Sequence, residues 1–150
     1  MSVGETCNRE VIVIDHAQNI SDAARLMREH HVGNVVVVRT EGDGSRIPVG
    51  ILTDRDIVIE LLARDVDLDA LCVGDAMSYD LLTLNENDDV DEAIKQMRAQ
   101  GVRRAPVVNV QGALVGILAV DDVIGLLSEQ LSDLVALLKR EQQIERKRHP

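Results

Sequence analysis

The chain has 150 residues, 45% of them apolar, which suits one compact domain or two small halves packed together. It carries a formal net charge of −10, lacks Phe and Trp, and has Tyr79 as its single aromatic residue. An acidic surface with no stacking groups argues against a nucleic-acid partner. Two scattered cysteines, Cys7 and Cys72, with four histidines, offer neither a disulfide framework nor metal-ligand spacing, and fit a reducing cytoplasm. No apolar run approaches the ~20 residues of a membrane span, and the polar opening "MSVGETCNRE" is unlike a signal peptide.

The first predicted element is a short buried strand, "VIVI" (Val11 to Ile14). His16 follows in the polar loop "DHAQN". Ser21 to His30 reads as a helix with Ala23, Ala24 and Met27 on one face. The adjacent His30 and His31 point in different directions there, whereas a metal pair would prefer i and i+4. A valine-rich strand, Asn34 to Val38, leads into the turn residues Gly42, Asp43, Gly44 and Ser45, a hairpin loop. Ile47 to Thr53 completes the hairpin, and a helix runs from Asp54 to about Arg64. The same order then returns: strand Leu81 to Leu84, helix Asp91 to Gln100, strands Ala105 to Asn109 and Gly112 to Ala119, and a helix from Val120 onward.

The unit β-α-β-β-α is therefore written twice. Val3 to Asp15 aligns with Val73 to Asn85 at an offset of 70, and Ala23, Met27, Arg28 and Val32 recur as Ala93, Met97, Arg98 and Val102. After the hairpin loop, four residues longer in the first half, the offset is 66, and "VGILTDRD" from Val49 returns as "VGILAVDD" from Val115. A unit of ~60 residues is marginal alone. Two copies related by a pseudo-two-fold bury each other's sheets and leave a cleft with two quasi-equivalent ends.

At the first junction Thr53 ends a strand and Asp56 lies in the first turn of the next helix. Thr-x-x-Asp is a variant of the capping box. A carboxylate at that place can also accept two hydrogen bonds from a vicinal diol such as ribose, beside a helix N-terminus that offers free N–H groups. In the copy, Ala119 replaces Thr53 while Asp122 takes the place of Asp56, so the two ends are expected to be unequal. Cys7 aligns with Met77, which argues for a small buried apolar role.

The order of elements, the "VGILTDRD" junction and the "VRRAPVV" strand resemble the cystathionine-β-synthase-type (CBS) domain, whose tandem pairs are called Bateman modules. The resemblance covers roughly Val3 to Leu131. It implies an α/β fold of two β-α-β-β-α repeats, with repeats at 1–69 and 70–131 and a helical extension at 132–150. It also implies that Thr53 and Asp56 hold the ribose of an adenosine-containing ligand. Arg103 and Arg104 then reach its phosphates, Pro106 shapes the purine pocket, and Asp122 serves the second end. The first repeat has Gly33, Asn34 and Val36 at the places of Arg103, Arg104 and Pro106. That absence of charge counts against phosphate binding by the first copy; for Arg103 and Arg104 themselves the alternative is a solvated loop.

In the last helix Leu127, Leu131, Leu134 and Leu138 fall on one face, with Leu137 and Ile144 widening it, and the charged end Lys139 to His149 is expected to fray. The stripe could fold back on its own chain or form a seam between subunits. The broad apolar sets Ile57, Val58, Leu61, Leu62 and Val123, Ile124, Leu126, Leu127, Leu131 favour a homodimer. The expected protein is a cytoplasmic sensor of AMP, ADP or ATP, with no required cofactor, no metal and no attached effector domain, acting through an oligomer or an effector protein. S-adenosylmethionine is a variant ligand, and an interaction module with vestigial pockets is the rival reading. An enzyme ranks last, since no nucleophile–base pair, metal cluster or phosphate loop is visible.

Overall fold

Each repeat builds one three-stranded sheet, and the computed structural model describes residues 1–77 and 80–149, a range that leaves out Tyr79. In the first sheet β1 (Val13–Asp15) runs parallel to β2 (Asn34–Thr40), which pairs antiparallel with β3 (Arg46–Thr53). The parallel step needs a crossover, supplied by α2 (Ile20–His30). The second sheet repeats the pattern with β4 (Leu84–Asn85), α4 (Val90–Gln100), β5 (Arg104–Val108) and β6 (Leu114–Ala119). Both hairpins are bulged at the same place: Val37 pairs with Gly50 and Val38 with Pro48, as Val107 pairs with Gly116 and Val108 with Leu114.

Four consecutive valines, Val35 to Val38, are all buried, as expected for a strand covered on both faces. Val35 and Val37 join Ile14, Ala23, Met27 and Leu52 in the first core. Ala105 and Val107 join Leu84, Ala93, Met97 and Leu118 in the second. Strand alternation turns Val36 and Pro106, both buried, to the opposite faces, where β3 and β6 bring the two sheets together.

Two short helices cross between the repeats. α1 (Val3–Thr6) opens the first repeat yet buries Val3 in the second core, while α3 (Val73–Ala76) opens the second repeat and buries Val73 in the first. The anchoring bonds are pseudo-symmetric. Val3 and Gly4 donate to the carbonyls of Asp88 and Glu86, both at 2.8 Å, and Val73 and Gly74 donate to those of Gln18 and His16 at 2.7 and 2.9 Å. A β-carbon on Gly4 would stand 3.0 Å from the Glu86 carbonyl, which explains the repeated "VG". Beyond α1, Asn8 exchanges two hydrogen bonds with Ile117 on the edge of β6.

Several boundaries differ from the sequence reading. β1 and β4 are shorter and later than Val11–Ile14 and Leu81–Leu84, because only Val13–Asp15 and Leu84–Asn85 come level with a partner strand. The helix after Thr53 begins at Asp54 and widens to a π-turn over Asp56–Leu61, where Leu62 donates to both Ile57 and Val58. The β-branched run Ile57, Val58, Ile59 is a poor α-helix former. His31 ends α2 in the left-handed conformation (φ 54°), the place Gly101 holds after α4. The segment expected to fray stays helical: α5 (Val120–Arg148) is one unbroken helix of 29 residues, whose last turn carries Arg146, Lys147 and Arg148 against the C-terminal dipole. It does not fold back, and Leu127, Leu131, Leu134, Leu137 and Leu138 remain exposed. Among the described residues no helix is long and apolar enough to cross a membrane.

Candidate functional site

The strand-to-helix junctions put polar groups where the two repeats meet. At the first, Thr53 and Asp56 cap each other: the Thr53 amide donates to Asp56 Oδ2 at 3.0 Å, and the Asp56 amide donates to Thr53 Oγ1 at 3.1 Å. The capping reading of Thr-x-x-Asp is thus realised. It still leaves chemistry available: among the described residues Asp56 Oδ1 accepts no hydrogen bond, and the Thr53 hydroxyl keeps its own proton to donate. The cap fixes the carboxylate, so any hydroxyl it receives meets an oriented acceptor.

Thr53, Asp56 and Ile51 form one wall of a cavity of about 300 Å³. The other wall comes from the second repeat: Arg103 and Arg104 with Val102, and Asp80, Leu81 and Leu82 from the segment before β4. Two cations and two carboxylates, the capped Asp56 and Asp80, therefore face one space with an apolar lining between them. Arg103 is exposed and donates from Nη2 to Asp121 Oδ1 at 2.9 Å, in the first turn of α5. Arg104 is half-buried and, among the described residues, has no hydrogen-bond or ion-pair partner. A guanidinium left unpaired beside an apolar lining is suited to an anion that brings its own oxygens.

Four of the six residues singled out in the sequence, Thr53, Asp56, Arg103 and Arg104, thus line one cavity. The other two do not line it. Pro106 is fully buried one strand position pair further along β5, facing Ile117 across the hairpin. Asp122 is exposed in the first turn of α5. The uncharged "VGNVV" of the first repeat does not leave the Thr53 end without cations, since Arg103 and Arg104 of the second repeat line the same cavity as the first junction. Reading each repeat by itself missed this, because the cavity is built across the repeat boundary.

Mapping the cavity through the repeat shows how lopsided the molecule is. Thr53 becomes Ala119, Asp56 becomes Asp122, Arg103 and Arg104 become Gly33 and Asn34, and Asp80 becomes Glu10. The counterpart set has no hydroxyl and no cation, and two carboxylates. Asp80, Leu81 and Leu82 were not anticipated as lining residues. Their signal was present in the repeat, since Leu81 and Leu82 align with Val11 and Ile12 just ahead of the paired strand.

Among the remaining candidates Cys7 has a packing role. Cys7 packs against the second core beside Gly116, and burial pushes its thiol pKa up, which makes it a poor nucleophile. Among the described residues no group of three His, Cys, Asp or Glu side chains could hold a metal ion.

Known proteins resemble this chain in sequence and fold. The chain is 36% identical over 124 residues to an uncharacterized protein, MK0525, of Methanopyrus kandleri; the match covers 83% of this chain and 61% of that one. It is 35% identical to the CBS domain-containing protein YhcV of Bacillus subtilis, over 81% of this chain and 82% of that one. Among solved structures, the CBS domain protein PAE2072 from Pyrobaculum aerophilum, complexed with AMP, superposes with a TM-score of 0.70 at 28% identity, covering 81% of this chain and 89% of that chain. The family pattern of the CBS domain matches residues 3–63 and again 73–129, so the chain belongs to the CBS domain family and carries two such domains in tandem.

Proposed function

We propose that the chain is a regulatory module that binds an adenine nucleotide (AMP, ADP or ATP) in the cavity between its repeats and passes the bound state on through a homodimer or an effector protein. The observation that carries this reading is the convergence of the capped Asp56 carboxylate with Arg103 and with Arg104, unpaired among the described residues, around one apolar-lined space. Asp56 and Thr53 take the ribose hydroxyls, Leu81, Leu82 and Ile51 give the base an apolar surface, and the arginines take the phosphate. The AMP complex of the related PAE2072 supports the same ligand class. S-adenosylmethionine would satisfy Asp56 but bring no phosphate to Arg104, so a cation with no partner among the described residues favours a nucleotide.

The homodimer part rests on a different observation. Val58, Ile59 and Leu62 of the first repeat and Ile124 and Leu127 of the second are large, apolar and exposed. Apolar surface of this extent commonly marks an interface. Both cysteines are free, which fits a reducing cytoplasm.

A thermal-shift series with AMP, ADP, ATP, adenosine and S-adenosylmethionine tests the reading. A ligand at 100 times its Kd stabilises by about 2.7 kcal/mol, roughly 5–10 °C for a chain of this size. The reading expects the phosphorylated ligands to shift the midpoint most. No shift with any of the five would overturn it.

A further inference from the structure

α5 is the longest element and the least covered: among its residues only Val123 is buried. Ile124, Leu127, Leu131, Leu134 and Leu138 are all more than half exposed. They recur at alternating steps of three and four residues, the rhythm of a coiled-coil seam. Continued, that rhythm meets Glu141, Glu145 and Arg148. Charge is segregated along the same helix. Its first half holds Asp121, Asp122, Glu129 and Asp133, and its second half holds Lys139, Arg140, Arg146, Lys147 and Arg148 against Glu141 and Glu145.

We infer that the occupant of this face is α5 of a second copy, lying antiparallel, with Leu127 against the partner's Leu138 and Leu131 against the partner's Leu134. The inference rests on the homodimer reading and adds its seam and direction. A parallel pair sets each residue against its own copy, so Glu141 and Glu145 would face identical carboxylates across the seam and the basic ends would lie together. The antiparallel pair removes both conflicts. It brings the basic end of each helix alongside the start of the other, where Asp121 and Asp122 stand, and it opposes the two helix dipoles. It also accounts for the exposed Leu137 and Ile144 outside the main stripe. Leu137 comes beside the partner's Gln130, and Ile144 comes over the first turn of the partner helix. The seam lies outside the nucleotide cavity, so it can be tested without a ligand.

The test uses the full chain with Cys7→Ser and Cys72→Ser. Under mild oxidation, Leu127→Cys mixed with Leu138→Cys is expected to form a disulfide-linked dimer, while each variant alone forms little. Self-linking of Leu127→Cys would show a parallel pair and overturn the inference. Light scattering separates the two readings. A dimer with no cross-link in either arrangement overturns the antiparallel seam and leaves the homodimer standing, whereas a monomer at micromolar concentration overturns both. A monomer that binds phosphatidylserine vesicles would assign the face to a lipid surface instead. Leu131→Glu with Leu134→Glu guards against cysteine variants that perturb the helix. Both side chains are exposed, so the expected result is a monomer with its thermal midpoint in the range of dilute parent protein, and an unchanged dimer would overturn the seam.

Discussion

Arg103 donates to Asp121 across 2.9 Å, and this one bond ties the wall of the cavity beside Thr53 and Asp56 to the first turn of the 29-residue helix α5. The pair is exposed on both sides, 74% and 64%, so it adds little stability. Its interest is competition, since a phosphate in the cavity and Asp121 both want the same guanidinium. Asp121→Asn should leave the thermal midpoint nearly unchanged. It should tighten AMP by up to about fivefold, the equivalent of the roughly 1 kcal/mol that such an exposed pair can hold. Titration calorimetry measures this, and an unchanged or weakened affinity would exclude the competition.

The basic pair should discriminate by phosphate. Replacing Arg103 and Arg104 with Ala removes charge-assisted bonds worth roughly 1.5–3 kcal/mol each. AMP should therefore weaken by at least tenfold while adenosine changes little. An equal loss for both ligands would mean that the arginines shape the cavity without gripping the phosphate.

The exchanged N-terminal segment makes a prediction about stability. A β-carbon at Gly116 would stand 2.6 Å from Cys7 Sγ and 2.8 Å from the Asn8 carbonyl, and that carbonyl is held by the Ile117 amide at 2.8 Å. The Asn8 carbonyl cannot yield without opening the edge of β6. Gly116→Ala should cost about 1–3 kcal/mol, seen as a midpoint lowered by several degrees. Cys7→Ala in the same chain should restore only part of it, because the Asn8 backbone still blocks the site.

Cys7 should also react slowly. Its thiol pKa lies above the ordinary value, chiefly because burial disfavours the thiolate, with Arg9 opposing the shift. A raised pKa means less thiolate at any given pH below it, so alkylation by iodoacetamide at pH 8 should run slower than for the same cysteine in the unfolded chain. The difference should persist as pH rises until the raised value is passed. Mass-spectrometric counting of modified Cys7 in native and denatured protein checks this, and equal rates would contradict it.

Much of this fold could be read from the residues, and the reasons are local. The valine run at Asn34–Val38 and the twice-written "VGIL" encode strands in their own side chains, and the bulge-and-turn chemistry repeats with them. The Thr53–Asp56 cap needs only four residues to specify itself. What escaped the sequence reading depends on distant partners. α1 and α3 are four-residue helices whose anchors lie in the opposite repeat, so no periodicity reveals them. Leu81 and Leu82 look like strand residues, yet without a level partner they line the cavity. The pairing of Arg103 and Arg104 with the first junction follows from how two sheets meet, which alignment of the repeats one upon the other conceals.

The proposed function expects one nucleotide site, at the Thr53–Asp56 junction facing Arg103 and Arg104, and expects no phosphate to be held at the counterpart formed by Ala119 and Asp122. Titration calorimetry with AMP on the parent protein, Asp56→Asn and Asp122→Asn decides this, since each substitution keeps the side chain's size while it removes the charge and turns one acceptor oxygen into an NH2 donor. The expected outcome is one AMP per chain for the parent protein, near-complete loss of binding for Asp56→Asn, and parent-like binding for Asp122→Asn. Two equal sites per chain, or binding that survives Asp56→Asn and fails in Asp122→Asn, would contradict it.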